Sequence, residues 1–429
     1  MFKKALGIFM LGILLTGLSA CGNGNETPQP TEPEPVIETV IIEQVPEPPV
    51  EPEPELSLPG KIAIVTNVRD FLEEEYISAR YIQEKFGEEY VIHRTWPIQL
   101  IEEAERAITI LSEIASIPDV RVLIINQAFV NTSAAVETFR AIRDDVLIVY
   151  ISPSSLGRSR TFPSIDGDYY DVITRNADLI LDTNRPMIGY HLVNQAKAMG
   201  AETIVHYSFT RHMVWPHLAA RRDAIREASG KLGIEFVNVE ADELCQFTET
   251  RRLPRQFLME DTPDKIEEHG KNTAFFATSC SNQLVLIQQI LEHGAINVQI
   301  CCPSPFHAFP TALGIAATQS EALEHFSPAE IIEAIKKEVA AAGATGRIAT
   351  SPLSDAMLFT YTAVEYGIRW MRGEVSKDEI DLEVLSQIMV DVIAEQTGVE
   401  GLGVQLARHE FDGEVFPNFI LVVQDYLTF

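Results

Sequence analysis

Apolar residues between positions 61 and 152 fall into short runs, separated by stretches of mixed polarity with helical spacing. The runs are KIAIVTN (61–67), YVIHRTW (90–96), VRVLIIN (120–126) and VLIVYIS (146–152). Runs this short and this rich in β-branched residues are typical of strands that are buried on both faces. Strands that alternate with amphipathic helices predict a parallel sheet covered on both sides. We therefore expect a doubly wound α/β lobe here.

The same alternation restarts after residue 176. Its apolar runs are ADLILDTN (177–184), ETIVHYSF (202–209), IEFVNVE (234–240), TAFFATS (273–279) and INVQICC (296–302). The pattern predicts a second lobe, so the expected fold class is α/β with two doubly wound, flavodoxin-like lobes of parallel sheet. Residues 242–272 break the rhythm, and we interpret them as an insert for which the minimal fold has no place.

The chain begins with a short basic region and an uncharged apolar run, residues 5–20, that stops at Cys21. This order is typical of a secretory signal peptide, and the run is shorter than the roughly 20 apolar residues of a membrane span. The tetrapeptide LSAC (18–21) resembles the bacterial lipobox. That resemblance implies that Cys21 is acylated and becomes the new N-terminus. The alternative is an ordinary cleaved signal followed by a buried cysteine.

Residues 22–59 hold nine Glu, ten Pro and no Lys or Arg. This composition cannot form a core, and it favours an extended polyproline II chain that reaches on the order of 100 Å at about 3.1 Å per residue. We interpret the segment as a tether that follows the lipidated cysteine. The folded part would then lie on the extracytoplasmic face of the cell membrane, held there only by the lipid anchor.

Acidic residues outnumber basic ones by 62 to 33, which gives a formal net charge of −29. The excess persists outside the tether and argues against nucleic acid and against an anionic lipid surface as partners. Four cysteines follow Cys21. An exported location permits disulfides, but we interpret these cysteines mainly as packing residues. A soft-metal site that combines the thiols with His307 is the minor alternative, because no CxxC or HxxxH spacing supports it. The four are Cys245, Cys280, Cys301 and Cys302.

Four stretches resemble the type I periplasmic binding protein fold, which is also the effector-binding core of repressors related to the lactose repressor. They are the first strand (61–67) with the helix after it, DTN (182–184) with the helix after it, RRDAIREASGKLGIEFVNV (221–239) and FFATSCSNQLVLIQQILEHG (275–294). The stretch HYSFTRHMVWPHLAARRD (206–223) also resembles a narrower, uncharacterised family of clostridial and spirochaete lipoproteins. The resemblance implies two lobes joined by a hinge, with a late strand and helix that return to the first lobe.

The resemblance and the composition together give the expected domain boundaries. They are 1–20 for the signal peptide, 21–59 for the lipidated cysteine and tether, 60–183 with 346–375 for the first lobe, 184–345 for the second lobe and 376–429 for a C-terminal extension.

Ligands of open α/β sheets collect at the carboxyl ends of the strands, where polar backbone groups and helix N-termini are exposed. We therefore expect polar residues at strand ends to bind the ligand. In the first lobe these are Asn67, Trp96, Asn126, Gln127, Ser152 and Ser154. In the second lobe and the returning segment they are Asp182, Asn184, Ser208, Arg211, His212, Ser279, Asn282, Ser351 and Asp355.

Several of these residues have structural alternatives. Trp96 could stack on a sugar ring or a base, or could cover a loop. Arg211 and His212 could clamp an anion, or the arginine could form a surface salt bridge. Asp182 could cap a helix instead of touching the ligand. The arginines at 158, 160, 251, 252 and 255 could form a rim for anions or a solvated face.

The sequence has no GxSxG, P-loop or HExxH motif, and no GxGxxG follows the first strand, so we expect neither an enzyme nor a cofactor. The resemblance implies a monomeric lipoprotein that delivers a small polar ligand to the permease of an ABC importer. Trp96 and the amides at the strand ends favour a sugar or a nucleoside as that ligand. A sensory lipoprotein that reports to a receptor kinase and an extracytoplasmic enzyme remain as alternatives. A DNA-binding repressor is disfavoured, because the lipobox and tether stand where such repressors carry a basic helix-turn-helix.

Overall fold

The computed structural model describes residues 58–70, 72–98, 104–127, 130–153, 167–240 and 253–429. The predictions for the signal peptide, for Cys21 and for the tether lie outside these residues, and so do those for Ser154, Cys245 and the arginines at 158, 160, 251 and 252. In the described part of the chain, no helix is both long enough and apolar enough to cross a membrane.

The first lobe is built on parallel strands in the order β2-β1-β3-β4-β5. The strands are β1 (Lys61–Thr66), β2 (Val91–Thr95), β3 (Val120–Asn126), β4 (Leu147–Ile151) and β5 (Leu179–Thr183). The helices between them are α1 (Glu73–Phe86), α2 (Ala104–Ala115), α3 (Val130–Ile142) and α4 (Gly167–Asn176). Alternate residues of β1 enter two different cores: Ile62 and Ile64 pack on one face of the sheet, Ala63 and Val65 on the other.

The second lobe has a four-stranded parallel sheet in the order β7-β6-β8-β9. Its strands are β6 (Thr203–Ser208), β7 (Glu235–Glu240), β8 (Thr273–Ala277) and β9 (Ile296–Asn297). Its helices are α5 (Arg185–Ala198), α6 (Thr210–Met213), α7 (Pro216–Leu232), α8 (Leu253–His269) and α9 (Gln283–His293).

The predicted insert at 242–272 is wrong for its larger part. Helix α8 lies between the parallel strands β7 and β8, packs against α9 and contacts β8, so it is the crossover helix that such a pair of strands requires. The pattern of apolar residues did not predict this helix, because Pro263 lies inside it and its sequence is only weakly amphipathic.

The last third of the chain runs between the lobes. Its elements are α10 (Phe309–Ala312), α11 (Gln319–His325), α12 (Pro328–Ala341), β10 (Ala349–Thr350), α13 (Asp355–Met371), α14 (Leu382–Thr397), β11 (Val404–Phe411), β12 (Glu414–Gln424) and β13 (Leu427–Thr428). Strand β12 pairs in parallel with β5 and β11 pairs with β12, so the tail extends the first sheet to seven strands. Strand β13 then pairs with β10. The tail is therefore an integral part of the fold.

One hydrophobic cluster passes through both lobes. It joins Ile64 of the first sheet to Val205 and Phe275 of the second, with Phe309 and Phe359 also in it. Each buried side chain of this size stabilises the fold by about 1.5–3 kcal/mol. The predicted architecture of two α/β lobes with parallel strands is thus confirmed, and apolar contacts connect its sheets.

Candidate functional site

Two neighbouring residues at the edge of the first sheet have left-handed backbone. Gln127 directly follows β3 with φ 53°, and Ser152 directly follows β4 with φ 48°. The register of β3 and β4 sets them side by side, and each donates its backbone N–H to the next strand: to Ile151 O at 2.8 Å and to Leu181 O at 2.7 Å. Non-glycine residues hold this conformation at a cost, and such residues concentrate at ligand sites. Both predicted residues therefore lie at the carboxyl edge in a constrained geometry.

Asn67 binds a buried carboxylate that the sequence analysis did not single out. Its backbone N–H and its Nδ2 both donate to Oε1 of Glu75, at 2.6 and 2.9 Å. Glu75 is 1% exposed, and burial raises its pKa to about 7, although hydrogen bonds from Asn67 and Gln127 act in the opposite direction. Three strand-end or helix side chains of the first lobe therefore form one polar cluster.

Trp96 and Asn126 lie inside the first lobe. Trp96 is 1% exposed and packs in the core between the sheet and its helices, with Nε1 3.5 Å from the backbone oxygen of Asn126. Asn126 is fully buried and its Oδ1 accepts a hydrogen bond from Thr360 at 3.1 Å. The structure therefore corrects the prediction that Trp96 stacks on a ligand, because its indole packs in the hydrophobic core.

A buried aspartate ties together the segments that cross between the lobes. Asp355, at the start of α13, accepts hydrogen bonds from Thr183 Oγ1 at 2.5 Å and from Gln424 Nε2 at 3.0 Å. Burial raises the pKa of Asp355, and the hydrogen bond from Thr183 and the charge of Arg185 act against the rise. Asp355, which was predicted to bind the ligand, therefore links the start of α13 to the ends of β5 and β12 through hydrogen bonds.

The other polar residues at these crossings also form hydrogen bonds within the chain. Ser351 accepts a hydrogen bond from Gln299 Nε2 at 3.1 Å. Asn184 caps α5 by accepting from Met187 N at 3.1 Å, and Asp182 is 3% exposed and accepts from the N–H of Thr183 at 2.8 Å. Each of these three side chains therefore has a hydrogen-bond partner within the chain.

The two lobes touch at Glu74, the second residue of α1. Ser304, which follows the strands of the second lobe, donates a hydrogen bond to its carboxylate. Burial raises the pKa of Glu74, and hydrogen bonds from Ser304 and Ser354 and the charge of His307 lower it. The carboxyl edge of the first sheet therefore meets the chain that leaves the carboxyl edge of the second.

The hydroxyls predicted for the second lobe lie at the carboxyl edge of its sheet. Ser208 is fully buried and its Oγ lies 3.4 Å from Val239 O, while Ser279 is 3% exposed with Oγ 3.0 Å from Ser281 Oγ. His212 lies with Nδ1 3.2 Å from Thr278 Oγ1, and Asn282 is 2% exposed before α9. Arg211 belongs to α6, and its side chain lies outside the described part of the structure.

Three thiols converge at this same edge. The sulfur atoms of Cys280, Cys301 and Cys302 all lie within 4.8 Å of one another, and Cys280 Sγ is 2.6 Å from Cys302 Sγ. Cys302 is exposed, and the other two are partly exposed. Hydrogen bonds from Cys280 and Cys302, together with the charge of Arg221, hold the pKa of Cys301 well below its usual range. His307 lies apart from them and contacts Gln319.

Sequence reasoning missed the carboxylates of α1 and undervalued the cysteines. Glu74 and Glu75 read as ordinary acidic residues of a first helical turn. The thiols had a usable signal, since Cys280 follows β8 and Cys301 follows β9, and adjacent parallel strands end at one edge.

Comparison with known proteins assigns the chain to a family. The family described as "Protein of unknown function (DUF3798)" matches residues 61–349, about two thirds of the chain. The chain belongs to this family. Two uncharacterised proteins of Treponema pallidum (strain Nichols) are similar to this DUF3798 member: one is 27% identical over 177 residues, or 41% of this chain and 76% of its own length. The other is 26% identical over 151 residues, or 35% of this chain and 62% of its own length.

Two solved structures are similar to this chain, and the first of them shows the fold. A crystal structure from Clostridium difficile 630, described as a "Putative transcriptional regulator", has a TM-score of 0.74 at 19% identity and covers 86% of this chain and 99% of its own. A sugar ABC transporter structure from Actinomyces odontolyticus has a TM-score of 0.45 at 10% identity and covers 74% of this chain and 84% of its own.

Proposed function

We propose that this protein binds a small polar solute between its lobes and delivers it to an ABC importer. The observation that carries the proposal is the meeting of the two carboxyl edges, where Glu74 of the first lobe contacts Ser304. Gln127 and Ser152 lie on the first edge in left-handed geometry and Ser279 lies on the second. A hinge between such edges allows a solute to be enclosed from both sides.

The chemistry of the edges favours an uncharged or mildly charged polar solute. Amide and hydroxyl groups both donate and accept hydrogen bonds, so they suit the hydroxyls of a sugar or a nucleoside. Trp96 contributes nothing to this argument because it is buried, and the preference therefore rests on hydrogen-bonding groups alone.

We further propose that the protein is a monomeric lipoprotein on the extracytoplasmic face, held through Cys21. The support is the sequence LSAC at 18–21 and the acidic, proline-rich segment after it. Mass spectrometry of the N-terminal peptide tests this part. We expect a diacylglycerol adduct on Cys21 and loss of membrane attachment in Cys21→Ser, whereas an unmodified, membrane-free wild type would contradict it.

The solute is tested by native mass spectrometry of the full chain, purified from its host membranes in mild detergent. We expect one small molecule per chain, released intact on denaturation. Gln127→Ala should retain less of it, while Gln387→Ala, on the exposed face of α14, is the matched control and should retain all. A covalently altered product would indicate an enzyme instead.

The transport step is tested separately by cross-linking in intact cells. Capture of a permease subunit that depends on the solute supports delivery. Capture of a receptor kinase in its place would support the sensory alternative and overturn the importer.

A further inference from the structure

The strongest feature that solute binding leaves unused is the cluster of three thiols in the second lobe. Cys280 follows β8, Cys301 and Cys302 follow β9, and these two strands are hydrogen-bonded neighbours. The sulfur atoms lie within 4.8 Å of one another, and Cys302 is exposed. The fold therefore gathers three separate soft donors at one point that solvent can reach.

A buried guanidinium lies next to the thiols. Arg221 is 1% exposed, its charged group stacks 4.8 Å from the ring centre of Phe276, and its Nη2 lies 3.7 Å from Cys301 Sγ. Within the described part of the chain, the guanidinium of Arg221 contacts the Cys301 thiol and the Phe276 ring and no carboxylate, and its Nε has no hydrogen-bond partner. Burying a cation without an anion is costly, so the arginine favours negative charge on the sulfur that it faces.

We propose that Cys280, Cys301 and Cys302 bind a thiophilic metal cation, Zn²⁺ first, with a fourth coordination position open to solvent. Zinc accepts three protein ligands with an exogenous fourth, and thiolates are among its preferred donors. On binding, the cysteines release to solvent the thiol protons that they still carry, and three Zn–S bonds form. Three thiolates and one Zn²⁺ leave one negative charge, which Arg221 offsets.

Oxidation is the competing chemistry at this site. Cys280 and Cys302 lie close enough to form a disulfide, and an extracytoplasmic location would favour one. A disulfide would use only two of the three converging thiols and would leave Cys301 facing Arg221. A metal engages all three, and for that reason we favour it. The proposal stands independently of solute delivery.

Cobalt substitution tests the site in the full, lipidated chain, reduced and handled without oxygen in mild detergent. Co²⁺ alone is titrated, and thiolate-to-cobalt charge transfer is read in the near ultraviolet, with tetrahedral bands in the visible. We expect the bands to saturate at one equivalent and Zn²⁺ to displace the cobalt. Proton release measured with an indicator should saturate at the same point.

Variants assign the bands to these thiols. Cys302→Ser removes an exposed ligand that the fold does not bury, so the variant should fold and bind cobalt at least about tenfold more weakly. Cys245→Ser is the matched control and should leave the bands unchanged. Circular dichroism confirms that each variant is folded.

Three results would overturn the proposal. One is a reduced wild type that shows no charge-transfer band. Another is a band that persists in the combined variant Cys280→Ser, Cys301→Ser, Cys302→Ser. The third is peptide mapping that finds Cys280 joined to Cys302 in protein taken directly from its native compartment. None of these results affects native mass spectrometry of the solute. The metal proposal and the solute-binding proposal can therefore fail separately.

Discussion

The carboxyl edges of the two sheets occupy equivalent places in the fold and differ in chemistry. The first edge gathers an amide, a hydroxyl and a buried carboxylic acid at Gln127, Ser152 and Glu75. The second gathers three thiols beside the buried Arg221. Parallel strands therefore determine where functional groups meet, while the individual residues determine which ion or ligand each edge binds. We expect the first edge to respond to protons and the second to thiophilic cations.

The largest effect that we predict concerns the proton response of the first edge. Glu75 has a folded-state pKa of about 7, above its ordinary value of 4.5. The folded chain therefore binds more protons than the unfolded chain between these values, and stability falls as pH rises through this window. Glu75→Gln should remove that loss and gain about 3 kcal/mol at pH 8 relative to wild type. Urea unfolding at pH 5 and pH 8 measures the difference.

Glu88→Gln, at an exposed position after α1, is the control for charge removal alone. It should change stability equally at both pH values. An equal effect of Glu75→Gln at pH 5 and pH 8 would show that the carboxyl of Glu75 is not responsible for the pH dependence.

A somewhat smaller effect should come from metal at the second edge. Because a cation that binds only the folded state stabilises it, Zn²⁺ at a hundred times its dissociation constant should add about 2.7 kcal/mol. Chelation should remove that gain, and Cys302→Ser should not show it. Thermal unfolding of the reduced protein, with and without Zn²⁺, measures the shift. A shift of the same size in Cys302→Ser would assign the metal to another place.

The segments that cross between the lobes hold the two edges together, so a hydrogen bond within them should also contribute to stability. Thr183→Val deletes the donor to Asp355 and leaves that carboxylate one hydrogen bond short. We expect a loss of about 1–3 kcal/mol in the free energy of unfolding. Thr138→Val is the matched control, because the Thr138 hydroxyl bonds within its own helix, to Ala134 O. Equal losses in the two variants would exclude a special role for the crossing.

The smallest effect on stability that we predict concerns the two left-handed residues of the first edge, Gln127 and Ser152, whose side chains should matter more for solute binding. Ser152→Gly relieves left-handed backbone and should stabilise the fold by about 1 kcal/mol or less, whereas Gln127→Gly relieves the same strain but loses the hydrogen bond to the buried Glu75 and should not stabilise it. Each should also weaken solute binding, since it removes a polar side chain from the edge. Calorimetric titration with the solute identified by mass spectrometry measures the second effect. A glycine variant that binds as tightly as wild type would exclude that side chain from the ligand site.

Most of the architecture was predictable because short apolar runs between helical stretches have few other solutions. Strands such as 61–66 and 120–126 are buried on both faces, so their sequences carry a strong signal. Helix α8 was misread because only a few of its residues, among them Leu258 and Ile266, are buried. Its place is determined by contacts with α9 and β8, which lie elsewhere in the sequence.

The candidate site was predictable in location and less so in detail. The strand-end rule predicted that Gln127 and Ser152 lie at the carboxyl edge, where the structure places them, but it could not tell that Trp96, also at a strand end, enters the core. The direction of a side chain after a strand depends on what packs there. The rule also applied to Cys280 and Cys301, which the sequence analysis had treated mainly as packing residues.

The doubly wound lobes and the edge at which polar groups collect could be predicted, because apolar periodicity and strand ends are local properties of the chain. Three features could not: the tail completes the first sheet, Asp355 joins three crossing segments, and three cysteines meet beside Arg221. Each of these depends on contacts between residues that lie far apart in the chain, and the order of residues does not encode such distances directly.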